Sequence, residues 1–228
     1  MLLYNDYRLV DIFFTLDIRP TIKILENKLS RKIDYYIIQD RSNFIDAIDE
    51  LGGIEVNLDK AYADAYKLSP GKRRINGFLT WEFIRYIDMK SINVKYTQGK
   101  DIDLIHKDNF KADPATWAEV YNIRNHRQQI ALQSMLASFN GLGLKDRLGI
   151  IESFPRLAET NLDKDFLFYI SKLLLAKPTI SYSTLPGYYS SEADKLFYHP
   201  DVPSFDLLRK QAIRSTIKSL SNREQVIY

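Results

Sequence analysis

Ser42-Asn-Phe-Ile-Asp-Ala-Ile-Asp-Glu-Leu-Gly-Gly-Ile-Glu-Val-Asn-Leu58 is the segment from which the fold class can be read. Phe44, Ile45, Ile48 and Leu51 recur at helical spacing, and Ser42 can cap that helix. Gly52-Gly53 ends it, as expected where the backbone turns left-handed. Ile54 to Leu58 then alternates apolar and polar side chains, the period of a half-buried strand. Upstream, Ile18, Ile22, Leu25 and Leu29, with Pro20 in the first turn, predict a helix over 18–31. Ile33-Asp-Tyr-Tyr-Ile-Ile-Gln39 is rich in β-formers and predicts a strand. Helix, strand, helix, strand in quick succession predicts an α/β domain: α+β layers, a central mixed β-sheet and flanking helices.

Further along, residues 59–75 read as a loop with a turn at Pro70-Gly71. Asn76-Gly77 opens a helix with Leu79, Phe83 and Tyr86 on one face and Arg85 beside it. Residues 88–113 are polar and lack any period, which predicts an exposed insertion. A long helix follows Pro114 and runs to about Phe139, where Gly141 and Gly143 break it. A helix over 145–154 should stop before Pro155. Thr160-Asn-Leu-Asp163 caps the next helix, which carries Phe166, Leu167, Ile170, Leu173 and Leu174. Residues 179–185 alternate as a strand. Ser204 can cap a last helix with Leu207, Leu208 and Ile213, and the polar end from Ser219 should be loose. This order suggests one domain over 1–190 and a C-terminal helix and tail over 191–228.

Composition narrows the function classes. A hydrophobic fraction of 45% over 228 residues is enough for a core. The net charge of +3, from 32 basic and 29 acidic residues, is too even for bulk attraction to nucleic acid, and no nucleic-acid partner is expected. Lys72-Arg73-Arg74 reads as a solvated loop. The absence of cysteine excludes disulfides, thiolate catalysis and cysteine-bound metals. No apolar run is long enough to span a membrane, and Met1 to Arg8 does not read as a signal peptide. There is no glycine-rich phosphate loop and no Gly-x-Ser-x-Gly elbow. His106, His126 and His199 match no metal-ligand spacing.

The chemistry-bearing residues lie in the long helix. Ile123, Arg127, Ile130 and Ser134 share one stripe, with Arg124, Gln128 and Ala131 along its flank. An arginine between two isoleucines on a face that should be buried needs an anion beside it. That anion can be a ligand, or an Asp or Glu from the sheet side; alternatively the side chain snorkels to solvent. A guanidinium fork suits phosphate, so Arg124 and Arg127, with Arg85 from the neighbouring helix, form a candidate diphosphate clamp.

A wider pattern joins these pieces. Ile33-Asp-Tyr-Tyr-Ile, Phe44 to Leu51 with Gly52-Gly53-Ile-Glu-Val, Asn76-Gly77 with Phe83-Ile-Arg85-Tyr86, and Arg124-x-x-Arg127-Gln128-Gln129 stand in order. Thr160-Asn-Leu and Leu185-Pro-Gly187 follow. Over residues 18–187 this order resembles the LytR–CpsA–Psr family. The resemblance implies a cell-envelope protein on the extracytoplasmic face, at the membrane surface. It implies transfer of a glycopolymer from a polyprenyl-diphosphate carrier to peptidoglycan, assisted by Mg2+. It also implies that Arg85, Arg124 and Arg127 hold the diphosphate, that Gln128 supports them, and that Ile37, Phe44, Ile48 and Phe83 line a lipid tunnel. A non-catalytic lipid binder or envelope scaffold is the alternative, and a transcription regulator ranks last.

This chain departs from the family pattern at several points. Ile87 stands where the family has a second arginine, and Tyr121 where it has an aspartate that would hold metal. Asp88 is a candidate replacement ligand. The family's opening strands have no match before residue 18, and Leu9-Val-Asp-Ile-Phe-Phe-Thr-Leu16 reads as a substitute strand.

Overall fold

The computed structural model describes residues 3, 4, 7–87, 114–175, 186–192, 195–204, 206, 207 and 210. In chain order the elements are β1 (Leu3–Tyr4), β2 (Tyr7–Arg8), α1 (Leu9–Leu16), α2 (Ile18–Leu29), β3 (Ile37–Ile38), α3 (Arg41–Glu50), β4 (Ile54–Leu58), α4 (Lys60–Ala65), β5 (Gly71–Ile75), α5 (Gly77–Arg85), α6 (Pro114–Gly141), α7 (Leu144–Leu157), β6 (Glu159–Thr160), α8 (Lys164–Leu175), β7 (Gly187–Glu192) and β8 (Lys195–Pro200). They fall into two compact units, one of residues 1–33 with 183–228 and one of residues 34–182.

The first unit holds α1, α2 and two antiparallel pairs, β1 with β2 and β7 with β8. Leu9–Leu16, expected as a strand, is the helix α1, with Ile12 buried and Phe14 and Leu16 exposed. An eight-residue apolar run satisfies either period, and length alone does not choose between them. Asp17 ends α1 in a left-handed conformation and starts α2 by accepting a hydrogen bond from the Ile18 amide. In the C-terminal segment, Asp201 accepts from the Ser204 amide at 3.2 Å, so Asp201 rather than Ser204 is the capping residue.

The second unit carries the site. In α3, Asp40 accepts from the Asn43 amide at 2.8 Å, and the Ser42 hydroxyl donates to Asp40, so the cap lies two residues earlier than expected. Gly52 and Gly53 take φ of 73° and 83°, as the turn requires. A Cβ on Gly53 would lie 2.5 Å from the Ile75 carbonyl oxygen, so only glycine fits there. β4 buries Ile54, Val56 and Leu58 and exposes the residues between them. It pairs antiparallel with β5, Ile54 opposite Ile75.

Residues 59–75, expected as a loop, are instead α4 followed by β5. Asp59 accepts from the Tyr62 amide at 2.8 Å and so starts α4, which buries Tyr62 and Ala63. Lys72, Arg73 and Arg74 lie on the exposed part of β5, where Lys72 pairs with Glu55 and Arg74 donates to the Gly52 and Gly53 carbonyls. α5 begins at the Asn76 cap, and Asp49 of α3 accepts from the Gly77 amide at 2.7 Å. A Cβ on Gly77 would lie 2.2 Å from the Ile45 carbonyl oxygen, so glycine lets α5 touch α3. Pro155 lies inside α7, which continues to Leu157, and Asp163 caps α8 by accepting from Phe166.

The α/β class holds, but the sheet differs from the one expected. The described strands form four antiparallel pairs rather than one central mixed sheet. Of the predicted strand 33–39, Ile37–Ile38 forms the strand β3, paired antiparallel with β6. The predicted insertion 88–113 and the predicted strand 179–185 lie outside the described residues. The core gathers Ile48, Leu51, β4, Tyr62, Ala63, Ile75, Phe83 and Tyr86 against Ala131 and Phe139 of α6. Tyr62 and Phe83 are its largest fully buried side chains.

Candidate functional site

Spacing places Arg124 and Arg127 on one side of α6, and α6 packs on α5 and β4. Arg127 is only 8% exposed. Its guanidinium lies over three rings, with the centroids of Phe83, Tyr86 and Tyr62 at 4.7, 5.1 and 5.7 Å. Each such contact is electrostatically attractive, and burial strengthens it. The rings are themselves held: Tyr62 packs edge-on to both Phe83 and Tyr86. The Tyr62 hydroxyl donates to the Leu79 carbonyl at 2.6 Å and the Tyr86 hydroxyl to Ala61 at 3.0 Å.

The anion beside Arg127 is Asp59. The Asp59 carboxylate receives the Tyr62 amide on Oδ1 and Nη2 of Arg127 on Oδ2. The pair is asymmetric, since the Arg127 side chain is 9% exposed and that of Asp59 is 51%. Nη1 of Arg127 is buried and has no protein partner among the described residues.

Arg124 has different surroundings. It is half-buried, and its Nε has no protein partner among the described residues. Burial holds its pKa below the ordinary arginine value, with Tyr121 opposing the shift and the like charge of Arg85 adding to it. Arg85 and Arg124 therefore feel one another across the α5–α6 contact. Arg85 closes the last turn of α5, where a cation suits the helix dipole, and lies over the Trp81 ring at 5.4 Å. Beside it, Glu82 accepts from the Tyr66 hydroxyl at 2.8 Å and faces Arg41 at 3.8 Å. Burial first, then the Glu82 hydrogen bond and charge, push the Tyr66 phenol up.

The structure thus brings Arg85, Arg124 and Arg127 to one end of the α5–α6 packing. Gln128 is exposed. Of the four lipid-tunnel candidates, Ile48 and Phe83 are buried in the core, and Phe44 is half-buried, edge-on to Trp81. Ile37 is 55% exposed and stands apart from that cluster. An open groove of about 570 Å³ lies elsewhere on α3, lined by Asn43, Asp46, Asp49, Glu50, Arg156 and Leu157. Among the described residues no group of three His, Asp or Glu is placed to hold a metal ion, and Asp88 lies outside them.

Asp59, Glu82, Tyr62, Tyr66 and Tyr86 lie around these arginines without following from the arginine spacing. Two signals were present. Asp59 follows an alternating strand and precedes Lys-Ala-Tyr62, an N-cap pattern. Tyr62 and Tyr66 are four apart, as helical neighbours are.

Comparison with known proteins agrees with the fold. The LytR_cpsA_psr family model matches residues 12–92. No curated protein matches the chain. Among solved structures, a transcriptional regulator from Enterococcus faecalis superposes with a TM-score of 0.56 at 19% identity, over 88% of this chain and 66% of that one. This chain therefore spans just under two thirds of that protein. TagV from B. subtilis gives 0.57 at 19% identity, over 90% of this chain and 72% of that one. A structure of TagT bound to LIIa-WTA gives 0.57 at 16% identity, over 90% of this chain and 69% of that one. At these identities the likeness is one of fold.

Proposed function

We propose, from the match of residues 12–92 to the LytR_cpsA_psr family model, that this protein acts at the cell envelope on a lipid-linked diphosphate. Arg85, Arg124 and Arg127 form the anion-binding floor, with Gln128 at its exposed rim. The ligand class is a glycopolymer carried on polyprenyl diphosphate at the membrane surface, with peptidoglycan as acceptor. LIIa-WTA, found on TagT, is the model for that ligand. The observation that carries the reading is Arg124, a half-buried guanidinium whose Nε has no partner among the described residues and whose charge is disfavoured by burial and by Arg85. A diphosphate seated there would relieve both penalties at once.

In such a transfer, the acceptor hydroxyl oxygen forms a bond to phosphorus as the diphosphate bridge breaks. Polyprenyl phosphate leaves with the negative charge, and the hydroxyl proton passes to a base. Fixed guanidinium donors aimed at the leaving phosphate stabilise that charge where water is scarce. A magnesium ion would add Lewis-acid stabilisation of the same charge. Among the described residues no three His, Asp or Glu are placed to hold it, and Asp88, the candidate ligand, lies outside them. Phe83, against the Arg127 guanidinium, and Phe44, against the Trp81 ring that lies under Arg85, are the candidate apolar wall for the lipid, with Ile48 in the same core.

The second reading is a relative that binds the lipid without turning it over. Ile87 and Tyr121, standing where the family has an arginine and an aspartate, favour it. Titration with polyprenyl diphosphate tests the shared premise. The parent should bind, and Arg124→Ala should weaken binding by about 1.5–3 kcal/mol, the worth of a charge-assisted contact. Unchanged affinity would sink both readings. Magnesium-dependent release of polyprenyl phosphate separates the enzyme from the binder. Steep salt-dependent binding to duplex DNA instead would restore the regulator.

A further inference from the structure

We infer that Asp59 is a positioning residue for anion recognition: it orients Arg127 so that the free Nη1 of that guanidinium is held ready for a phosphate oxygen. The inference rests on the diphosphate-binding reading above and adds a residue that the arginine spacing did not point to.

The geometry carries it. Three rings surround Arg127, but ring faces attract a cation over a broad range of orientations and fix its rotation weakly. Among the described residues, the directional contact on the guanidinium is the hydrogen bond from Nη2 to Oδ2 of Asp59. Asp59 is itself held rigidly, because its other oxygen caps α4 through the Tyr62 amide at 2.8 Å. The chain of restraint runs from the end of β4 and the start of α4, through one carboxylate, to a guanidinium on α6. The same contact leaves Nη1 buried and without a protein partner among the described residues. A donor in that state is preorganised for an acceptor that a ligand would supply.

Two effects of the Asp59 charge oppose each other. It orients Arg127, which favours anion binding, and it repels the anion directly. Orientation should win, because the Asp59 side chain is 51% exposed. Water screens the repulsion there, whereas the Arg127 side chain it orients is 9% exposed and poorly screened.

Asp59→Asn is a sharp probe: the asparagine carbonyl oxygen can still accept from the Tyr62 amide and cap α4, whereas an amide NH2 in place of Oδ2 removes both the charge and the acceptor for Arg127. The ligand to titrate is inorganic pyrophosphate, followed by calorimetry on the whole chain. Arg127→Ala should weaken binding by about tenfold to a hundredfold, and Asp59→Asn by about fivefold to twentyfold. The decisive readout is the double variant. If Asp59 acts through Arg127, then Asp59→Asn in the Arg127→Ala background costs nothing further. Losses that multiply, or an Asp59→Asn protein that binds as tightly as the parent or tighter, overturn the inference. Arg127→Lys is the second probe. It keeps a charge beside Asp59 but has no fork, so it should bind about as weakly as Arg127→Ala, and parent-like binding would overturn the inference. A parent protein that binds neither pyrophosphate nor polyprenyl diphosphate refutes the functional reading and this inference together. A parent that binds while Asp59→Asn is silent refutes this inference alone.

Discussion

Arg124 and Arg127 stand three residues apart on one helix, yet their surroundings differ in kind. Arg127 is boxed by Tyr62, Phe83 and Tyr86 and paired with Asp59. Arg124 is half-buried beside a second arginine, and that neighbour and its burial both work against its charge. One guanidinium is integrated into the fold. The other is kept at a cost to the fold, which makes sense where the compensating anion is a ligand. Buried charge on a single helix face therefore has two settings: Arg127 with a carboxylate beside it, and Arg124 with none beside it among the described residues.

The largest expected effect tests the box. Phe83 is 2% exposed and is the ring nearest the Arg127 guanidinium. Phe83→Ala should cost about 3–5 kcal/mol in urea unfolding, from lost burial plus a cavity. A loss below about 1 kcal/mol would mean that the ring is not a core element at all.

A paired substitution sharpens the contrast. Arg127→Met removes an ion pair and three ring contacts, and should destabilise by about 1–3 kcal/mol, reduced because Asp59 is half exposed. Arg124→Met should leave stability within about 1 kcal/mol of the parent, or raise it, while anion binding falls. The opposite order in thermal melts would erase the distinction between the two arginines.

The smallest effect concerns the phenols around the box. Burial, first among the causes, raises the Tyr62 and Tyr66 phenols above their ordinary value of 10.0. The folded state then holds these protons more tightly than the unfolded chain. Stability from this source is complete below the unfolded pKa and is lost as pH rises from about 10 toward the folded values. Tyr66→Phe should cost about 0.5–1 kcal/mol near neutrality, by losing the bond to Glu82, and should flatten that alkaline decline. Urea midpoints measured across this range check it. A parent profile that stays level to about pH 11 contradicts the assignment.

Legibility differed along the chain for physical reasons. The helix before Gly52-Gly53, the glycine turn, β4, the Asn76 cap and α6 could all be read, because each rule there acts within one or two turns of chain. The segment 59–75 is α4 and β5 rather than a loop, because the Asp59 cap starts a helix and Ile75 pairs with Ile54 across the chain, whereas Pro70-Gly71 is only a local turn signal. Leu9–Leu16 was misread because a short apolar run is compatible with both periods. Pro155 predicts a stop, yet α7 continues through it to Leu157.

At the site the division is sharper. That Arg124 and Arg127 share a side of α6, and that Arg127 interrupts an apolar stripe, followed from helical periodicity alone. That the stripe demanded an anion followed from the cost of burying charge. Which anion answers was beyond any local rule. Asp59 lies 68 residues from Arg127 along the chain. The three rings come from α4, from α5 and from the residue that follows α5. Periodicity and capping are written into neighbouring residues, and they place a side chain on a face. Partners across the core are chosen by packing of distant segments, and it is that packing which gave Arg127 a carboxylate and left Arg124 beside Arg85.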